Sequence, residues 1–224
     1  MIISQTPLRI SFVGGGTDLK SFYRRMPGMV ISTAIDKYLF VILNERFDEK
    51  IYVNYTKKEI VNNVEDINHD LVREALLITG VDSGIEITML ADIPSEGSGL
   101  GSSSSLTVGL LNALYHFKGE LVTSERLAQD ACRIEINILK KPIGKQDQYI
   151  AAYGGLKKIV FNTDDSVTVR SLPFDRDMRI RLGSNLLLHF TDITRSADTI
   201  LREQKKNTSN KFSFLSDLSG LVPV

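Results

Sequence analysis

The sequence has one cysteine, no surplus of charge of either sign and no long apolar run, and each absence excludes a class of protein. Cys132 is the single cysteine among 224 residues, which excludes an intramolecular disulfide. It lies in a helical pattern and is most simply a buried small apolar side chain. Lysine and arginine total 27, and so do aspartate and glutamate, giving a formal net charge of +0. This balance gives no support for a nucleic-acid or anionic-membrane partner.

In this chain, two observations argue against a segment that directs a protein into or across a membrane. Its most apolar run, Tyr38–Leu43, is far too short to cross a bilayer. Residues 1–16 do not combine a basic leader with a sustained apolar stretch, which argues against a secretory signal. With 42% hydrophobic and 24% charged residues, the composition is that of a globular chain with a real core. The sequence therefore predicts a cytoplasmic protein.

Hydrophobic periodicity predicts strands first and a mixture of helices and strands afterwards. Segments with alternating, β-branched or aromatic residues predict strands at 8–13, 29–35, 38–47, 51–56, 84–94, 156–162, 167–172 and 185–190. Helical patterns occupy 70–80, 106–117, 124–139, a segment from 146 onward, and 196–206. Thr123 or Ser124 is placed to cap the third of these helices. No internal repeat is present.

A glycine- and serine-rich stretch, Ile93–Leu106, has two possible interpretations. A flexible linker would have polar, aperiodic flanks. Here a strand pattern ends at Pro94 and an apolar helical face begins at Leu106, so the stretch is a tight connection between packed elements. Glycine lets a backbone approach a ligand closely, and free amides at a helix start attract phosphate oxygens. The context favours a phosphate-binding loop whose helix begins near Ser103 or Ser104.

This stretch matches neither of two familiar nucleotide motifs. It lacks the Lys-Ser or Lys-Thr pair that follows the glycines of a P-loop. It also departs from the dinucleotide fingerprint, because Ser102 stands where the last glycine would fall. Taken alone, it predicts a phosphate site and says little about the chemistry performed there.

Two further clusters carry residue types suited to catalysis. Three glycines follow the first strand directly and precede Thr17 and Asp18. A simple turn with an Asp cap would leave the third glycine and the flanking Arg9 without a reason. Glu135 and Asp147 lie on either side of a proline- and glycine-containing break. In such a pair, one carboxylate can bind a metal while the other accepts a proton. The alternative is that both are exposed charges on helices, as most Asp and Glu residues are.

Together, the three clusters resemble the motifs of the GHMP kinase superfamily in order and spacing, from the N-terminus to about Lys206. The matching segments are "PLRISFVGGGTD", "PSEGSGLGSSSS" and "GKQDQYIAAYGG". Within the superfamily, the first, the third and "RSADTILREQ" are most similar to the branch that acts on D-glycero-D-manno-heptose 7-phosphate. The resemblance implies an α+β fold. Residues 1–180 would form a ribosomal-protein-S5-domain-2-like domain that binds ATP, and residues 181–224 the start of an incomplete, ferredoxin-like C-terminal half.

The resemblance also implies roles for individual residues. The ATP phosphates would lie against Gly97, Ser98, Gly99, Leu100, Gly101, Ser102, Ser103 and Ser104. Ser103 and Glu135 would bind Mg²⁺, which needs few protein ligands because it keeps waters and phosphate oxygens. Asp147 would take the proton of the attacking hydroxyl, and Arg9 would favour its ionised form and neutralise charge on the transferred group. The sugar would be lined by Gly14, Gly15, Gly16, Thr17 and Asp18.

Arg195 is implied as the contact for a phosphate on the substrate, because a guanidinium fork matches that group. The alternative is a surface cation near a helix start. Asp192, where the branch usually has glycine, would repel such a phosphate. The third glycine-rich motif of the superfamily's second half is missing from this sequence, so truncation is one interpretation. Exposed apolar surface and self-association, for example as a homodimer, are then expected.

Three functions are consistent with these observations. The first is an ATP- and Mg²⁺-dependent sugar kinase acting on the anomeric hydroxyl of a heptose 7-phosphate. The second is another small-molecule kinase of the superfamily, similar to fucokinase or homoserine kinase. The third is a catalytically silent module that binds a nucleotide or a sugar. The presence of Asp147, Glu135 and Ser103 favours a catalytic role.

Overall fold

The computed structural model describes residues 1–93, 98–189 and 211–222, which contain seven strands and seven α-helices. The strands are β1 (Ile2–Val13), β2 (Gly28–Glu45), β3 (Ile51–Asn54), β4 (Lys58–Val61), β5 (Ile85–Ala91), β6 (Leu156–Phe161) and β7 (Val167–Ser171). The helices are α1 (Lys20–Tyr23), α2 (Asp70–Thr79), α3 (Ser102–Phe117), α4 (Ser124–Cys132), α5 (Gln146–Tyr153), α6 (Arg176–Ser184) and α7 (Phe212–Gly220). A 3₁₀ turn occupies Val64–Asp66, and a π-helical segment, Arg133–Ile138, continues α4. In the described ranges, no helix has both the length and the apolar character needed to cross a bilayer.

The sheet is mixed and mostly antiparallel, and β2 lies at its centre. Its strand order is β4-β3-β5-β2-β6-β7, with β1 paired to β2 outside that path. Because β2 has 18 residues, its C-terminal half pairs with β5 while its N-terminal half pairs with β6. Only the β3–β5 pair is parallel among the pairs of described strands. The predicted α+β class is confirmed.

The single strand β2 replaces two separate strands predicted at 29–35 and 38–47. Both segments pair with β1, but the register jumps between the Pro7–Tyr38 pair and the Arg9–Ala34 pair. Proline has no N–H to donate, so the ladder is interrupted there and residues 35–37 of β2 bulge out of register. The apparent gap in the sequence pattern is therefore a bulge within one strand.

Two apolar clusters hold the helices on the sheet. The larger one packs α2 and α3 against the C-terminal half of β2 and against β3 and β5, with Leu39, Val41 and Leu43 on one face of β2. The smaller one packs α4 and α5 against Val30 of β2 and Ile159 of β6. Burying each large apolar side chain contributes about 1.5–3 kcal/mol, so these clusters supply most of the driving force for the fold.

The remaining predictions for individual elements have mixed outcomes. The cap at Thr123 is confirmed, since its side chain accepts a hydrogen bond from the Arg126 amide. The strand predicted at 185–190 is wrong over its described part, because residues 185–189 have no regular structure. Exposed polar helices such as α6 were not predicted, because α6 buries none of its residues and so lacks an apolar stripe. The helix predicted at 196–206 lies outside the described residues.

We expect Leu111→Ala to lower the free energy of unfolding by about 2–5 kcal/mol, because Leu111 is fully buried in the larger cluster and its loss leaves a cavity. Leu121, which is 87% exposed, is the matched control. Leu121→Ala should change stability by less than about 0.5 kcal/mol. Urea unfolding followed by circular dichroism measures both variants, and equal losses would contradict the assignment of the core.

Candidate functional site

The glycine- and serine-rich stretch joins α3 at a residue where glycine fits best. Gly101 caps the helix in the left-handed region, at φ +78°. A Cβ atom there would lie 3.3 Å from Arg9 Cγ and 3.3 Å from Asp147 Oδ2. Both the backbone conformation and the tight fit therefore favour glycine. The helix begins at Ser102, slightly before the predicted start, and Gly97 lies outside the described residues.

Arg9 and Asp147 form a bidentate ion pair beside the start of α3. Arg9 Nε donates to Asp147 Oδ1 at 2.6 Å, and Nη2 donates to Oδ2 at 2.8 Å. The third guanidinium nitrogen donates to the Gly99 carbonyl at 2.6 Å, and the backbone amide of Arg9 donates to the Leu100 carbonyl at 3.0 Å. Paired forks of this kind fix both groups in orientation as well as position. Arg9 thus links β1, the loop and α5.

Glu135 is a fully buried carboxylate that collects hydroxyl and amide donors. Its Oε1 accepts from the Ser103 hydroxyl and its Oε2 from the Ser104 hydroxyl, each at 2.8 Å. Oε2 also accepts from Gln148 Nε2 at 2.6 Å. Lys141 Nζ lies 4.0 Å from Oε1. Burial raises the pKa of Glu135, while Lys141 and the three donors act in the opposite direction.

The surroundings of Glu135 fit a magnesium ion that is shared with phosphate groups. Carboxylate and hydroxyl oxygens are the hard ligands that Mg²⁺ prefers. Gln148 Oε1 is buried beside them without a hydrogen-bond partner among the described residues, as expected where a metal-bound water would donate. No group of three or more His, Cys, Asp or Glu in residues 1–93, 98–189 and 211–222 can hold a metal. Phosphate and water oxygens would therefore have to complete the coordination.

Asp18 joins the glycine-rich turn after β1 to the start of α5. Its Oδ1 accepts from the Gly16 amide at 3.2 Å, and its Oδ2 accepts from the Gln146 amide at 3.1 Å. Gly144 packs so closely that a Cβ atom there would lie 2.0 Å from Oδ2. Burial, followed by the charge of Asp147, raises the pKa of Asp18 to about 6. The carboxylate is therefore held close to the proposed base by backbone amides.

Gly14 and Thr17 hold the glycine-rich turn after β1 in place. The Thr17 hydroxyl donates to the Gly14 carbonyl at 2.7 Å and accepts from the Met29 amide at 3.0 Å. Gly14 has φ +87°, and a Cβ atom there would lie 1.9 Å from the Met29 carbonyl oxygen. These two residues hold the turn against β2, whereas Gly15, Gly16 and Asp18 line the adjacent cavity.

Two cavities meet at Asp147. The smaller, of about 160 Å³, lies at the start of α3; we call it the phosphate cavity. The second, of about 330 Å³, lies beside the glycine-rich turn; we call it the acceptor cavity. Asp147 and Ile143 line both. The Asp147 side chain is therefore within reach of groups bound in either cavity.

A third, larger and mainly apolar cavity of about 680 Å³ adjoins both ends of the loop. Its lining includes Ile93, just before the loop, and Leu106 in α3. Tyr55 and His69 meet edge to face in its wall, with ring centroids 4.9 Å apart. Burial lowers the pKa of His69, and its buried Nδ1 has no hydrogen-bond partner among the described residues. The wall thus offers aromatic surface to a bound group.

The structure brings together most of the residues predicted for the site. The predicted phosphate-binding residues that line the phosphate cavity are Ser98, Gly99, Gly101, Ser102, Ser103 and Ser104. Leu100 does not line it, and Arg195 lies outside the described residues. Sequence reasoning missed Lys141, Ile143 and Gln148. Gln148 directly follows Asp147, but only the three-dimensional packing shows that it reaches Glu135.

Comparison with known proteins gives one consistent result. Residues 54–155 match the family "GHMP kinases N terminal domain". The chain is 32% identical over 220 residues to D-glycero-alpha-D-manno-heptose 7-phosphate kinase of Campylobacter jejuni, covering 92% of this chain. It is 27% identical to L-fucokinase/L-fucose-1-P guanylyltransferase of Bacteroides fragilis, covering 98% of this chain. The crystal structure of a D-glycero-D-manno-heptose 1-phosphate kinase from Bacteroides thetaiotaomicron is similar over 96% of this chain and 73% of that one, with a TM-score of 0.80 and 26% identity.

The chain is shorter than these curated relatives. It spans 63% of the length of the Campylobacter jejuni kinase and 27% of the Bacteroides fragilis protein. The family match, residues 54–155, includes the loop before α3 and the segment around Asp147 but not the glycine-rich turn after β1.

We expect the stability difference between the wild type and Asp18→Asn to depend on pH. The pKa of Asp18 rises from 3.8 to about 6 on folding, so the folded protein takes up this proton first as the pH falls. Relative to Asp18→Asn, the wild type should therefore gain roughly 3 kcal/mol between about pH 7 and about pH 4, at about 1.4 kcal/mol per pKa unit. Urea unfolding at a series of pH values measures the difference. A difference that stays constant would show that the Asp18 carboxyl is not desolvated.

Proposed function

The chain contains the N-terminal domain of the GHMP kinases, and on this premise we propose that it is an ATP- and Mg²⁺-dependent sugar kinase. The acceptor is the anomeric hydroxyl of a sugar, and D-glycero-D-manno-heptose 7-phosphate is the substrate we favour. One observation carries this proposal: the Asp147 carboxylate lies where the phosphate cavity and the acceptor cavity meet. A kinase must place its base within hydrogen-bond reach of the acceptor hydroxyl, whose oxygen attacks the donor phosphorus in line.

On this proposal, Asp147 accepts the proton of the acceptor hydroxyl as that oxygen bonds to the γ-phosphorus and ADP departs. Phosphoryl transfer has a loose transition state, so positioning and charge neutralisation provide most of the catalysis. Arg9 supplies the positioning, because its two hydrogen bonds orient Asp147. Mg²⁺ would supply most of the charge neutralisation. Asp18 supports the geometry by holding the Gln146 amide, next to the base.

The donor side follows from α3 and Glu135. The free amides at the start of α3 and the loop backbone would bind phosphate oxygens. Glu135 and Ser103 would hold Mg²⁺, which neutralises phosphate charge when bound. The apolar cavity beside the loop would take the adenine, stacked against Tyr55 or hydrogen-bonded to His69.

The choice of substrate rests on similarity. The Campylobacter jejuni relative and the Bacteroides thetaiotaomicron structure are both heptose phosphate kinases by name. A fucokinase-like activity is the second candidate, supported by 27% identity to the Bacteroides fragilis protein. The proposal further includes the S5-like architecture for residues 1–180, a ferredoxin-like half starting at 181, a cytoplasmic location and a possible homodimer. The boundary between the two parts lies inside α6.

Asp147→Asn should lower turnover about 10²–10⁴-fold while ATP still binds, because a general base contributes a factor of that size. A coupled assay of ADP release measures turnover. Run with heptose 7-phosphate, free sugars and amino alcohols in turn, it identifies the preferred substrate. Calorimetry with ATP and Mg²⁺ measures binding. The exposed Asp82→Asn is the control. Full turnover of Asp147→Asn would refute its role as base, and binding without turnover by the wild type would identify a silent module.

Gly101→Ala and Gly99→Ala should separate backbone strain from damage to the ion pair. Both glycines have positive φ, at +78° and +71°, so each alanine costs about 1–2 kcal/mol of stability. Only the methyl group at 101 meets Arg9 and Asp147, whereas nothing lies within 4 Å of the one at 99. We expect turnover of Gly101→Ala to fall by roughly a further 3- to 10-fold, because Arg9 and Asp147 must shift by a few tenths of an ångström and a whole ångström costs about 100-fold. Equal turnover in the two variants would contradict this geometry.

A further inference from the structure

Two irregular backbone segments place the Lys141 side chain close to Glu135, which lies six residues earlier in the chain. The π-helical segment carries Glu135, and Lys140 comes after it with φ +55°, a conformation that non-glycine residues rarely adopt. The Lys141 amide then donates to the Glu135 carbonyl at 2.9 Å and closes the turn. π-Helical turns and left-handed residues are rare, and both occur disproportionately at functional sites. Here they bring an ammonium group to the Glu135 carboxylate.

The Lys141 ammonium lies among the candidate metal ligands. Its Nζ donates to Ser103 Oγ at 3.2 Å and is 4.0 Å from Glu135 Oε1. Of the described residues, Lys141 forms the one ion pair to this carboxylate. Its side chain is 20% exposed, whereas that of Glu135 is 0% exposed. The ammonium therefore compensates the buried charge from the side that opens to the phosphate cavity.

The charges that line the phosphate cavity and its boundary indicate a second role for this ammonium. Glu135 and Asp147 are formally balanced by Lys141 and Arg9. A triphosphate with its magnesium ion adds excess negative charge, and Arg9 is already engaged by Asp147. Lys141 lines the phosphate cavity, and a metal ion that binds Glu135 could displace its ammonium from that carboxylate.

We propose that Lys141 occupies the position of the metal beside Glu135 and Ser103 in the nucleotide-free protein and turns to the triphosphate oxygens when Mg²⁺ takes that position. This inference rests on the proposed kinase function. A lysine suits the task because its ammonium is a compact charge on a flexible four-carbon stem. Because Lys141 Nζ lies 4.0 Å from Glu135 Oε1, its charge repels a metal ion that approaches this carboxylate. Lys141 therefore excludes free metal from Glu135 and favours metal that arrives with a nucleotide.

The test compares Lys141→Met with the control Lys140→Met in the full chain. Lys140 is exposed and is not among the residues that line the phosphate cavity. Electron paramagnetic resonance measures Mn²⁺ binding without nucleotide, and calorimetry measures binding of ADP with Mg²⁺. In Lys141→Met we expect Mn²⁺ to bind on the order of 10-fold more tightly, because a repelling unit charge is gone. We expect the nucleotide complex to bind roughly 10- to 100-fold more weakly, because a charged hydrogen bond is lost.

The opposite signs of the two effects are the signature of this proposal, since a merely structural lysine would not tighten metal binding. Lys140→Met should match the wild type in both measurements. Lys141→Arg keeps the charge and should retain weak Mn²⁺ binding, which guards against misreading a misfolded Lys141→Met. Unchanged or weaker Mn²⁺ binding in a folded Lys141→Met would overturn the proposal. A wild type that binds no nucleotide would refute the kinase function, whereas the Mn²⁺ measurement would still test the competition at Glu135.

Discussion

The ion pair between Arg9 and Asp147 is the constraint on which the rest of the site depends. One guanidinium group bonds the carboxylate of α5 and a carbonyl of the loop, while the backbone of the same residue bonds the next carbonyl. Three segments that are distant in sequence are therefore fixed at one point of β1. Because the pair is partly shielded from water, losing either partner leaves a charge without compensation. Gly101 leaves room for this arrangement, since a Cβ atom there would press against both partners of the pair.

The run of serines at the start of α3 shows how one composition serves several structural purposes. Successive helix residues point about 100° apart, so neighbouring hydroxyls meet different partners. Ser103 and Ser104 donate to the two oxygens of Glu135, Ser105 donates to the Pro7 carbonyl, and Ser102 pairs with Ser98. The helix is thereby tied to β1, to the loop and to the buried carboxylate. Those serines that hold Glu135 also place it next to the phosphate cavity.

Sequence predicted best those parts of the site that lie in short motifs of consecutive residues. The glycine-rich turn, the loop before α3, Glu135 and Asp147 were predicted to share one site, and the structure places these segments together. Their roles in catalysis and metal binding stay predictions. Residues such as Lys141 and His69 escaped prediction because their importance arises from tertiary contacts, through a left-handed turn in one case and an aromatic neighbour in the other. For the same reason, the bulge in β2 was taken for a boundary, because only the pairing with β1 shows that the strand continues.

The π-helical segment has a consequence for how this site can be lost. A π-turn is an α-helix that holds one extra residue per turn, so deleting a single residue from 133–138 would restore ordinary α-helical spacing. If the deleted residue were Arg133 or Ile134, the helix would survive and its apolar neighbours could still pack, but the carboxylate of Glu135 would rotate by about 100° away from the serines. One codon thus separates the fold from the proposed site, and a lineage could lose the site while keeping the scaffold.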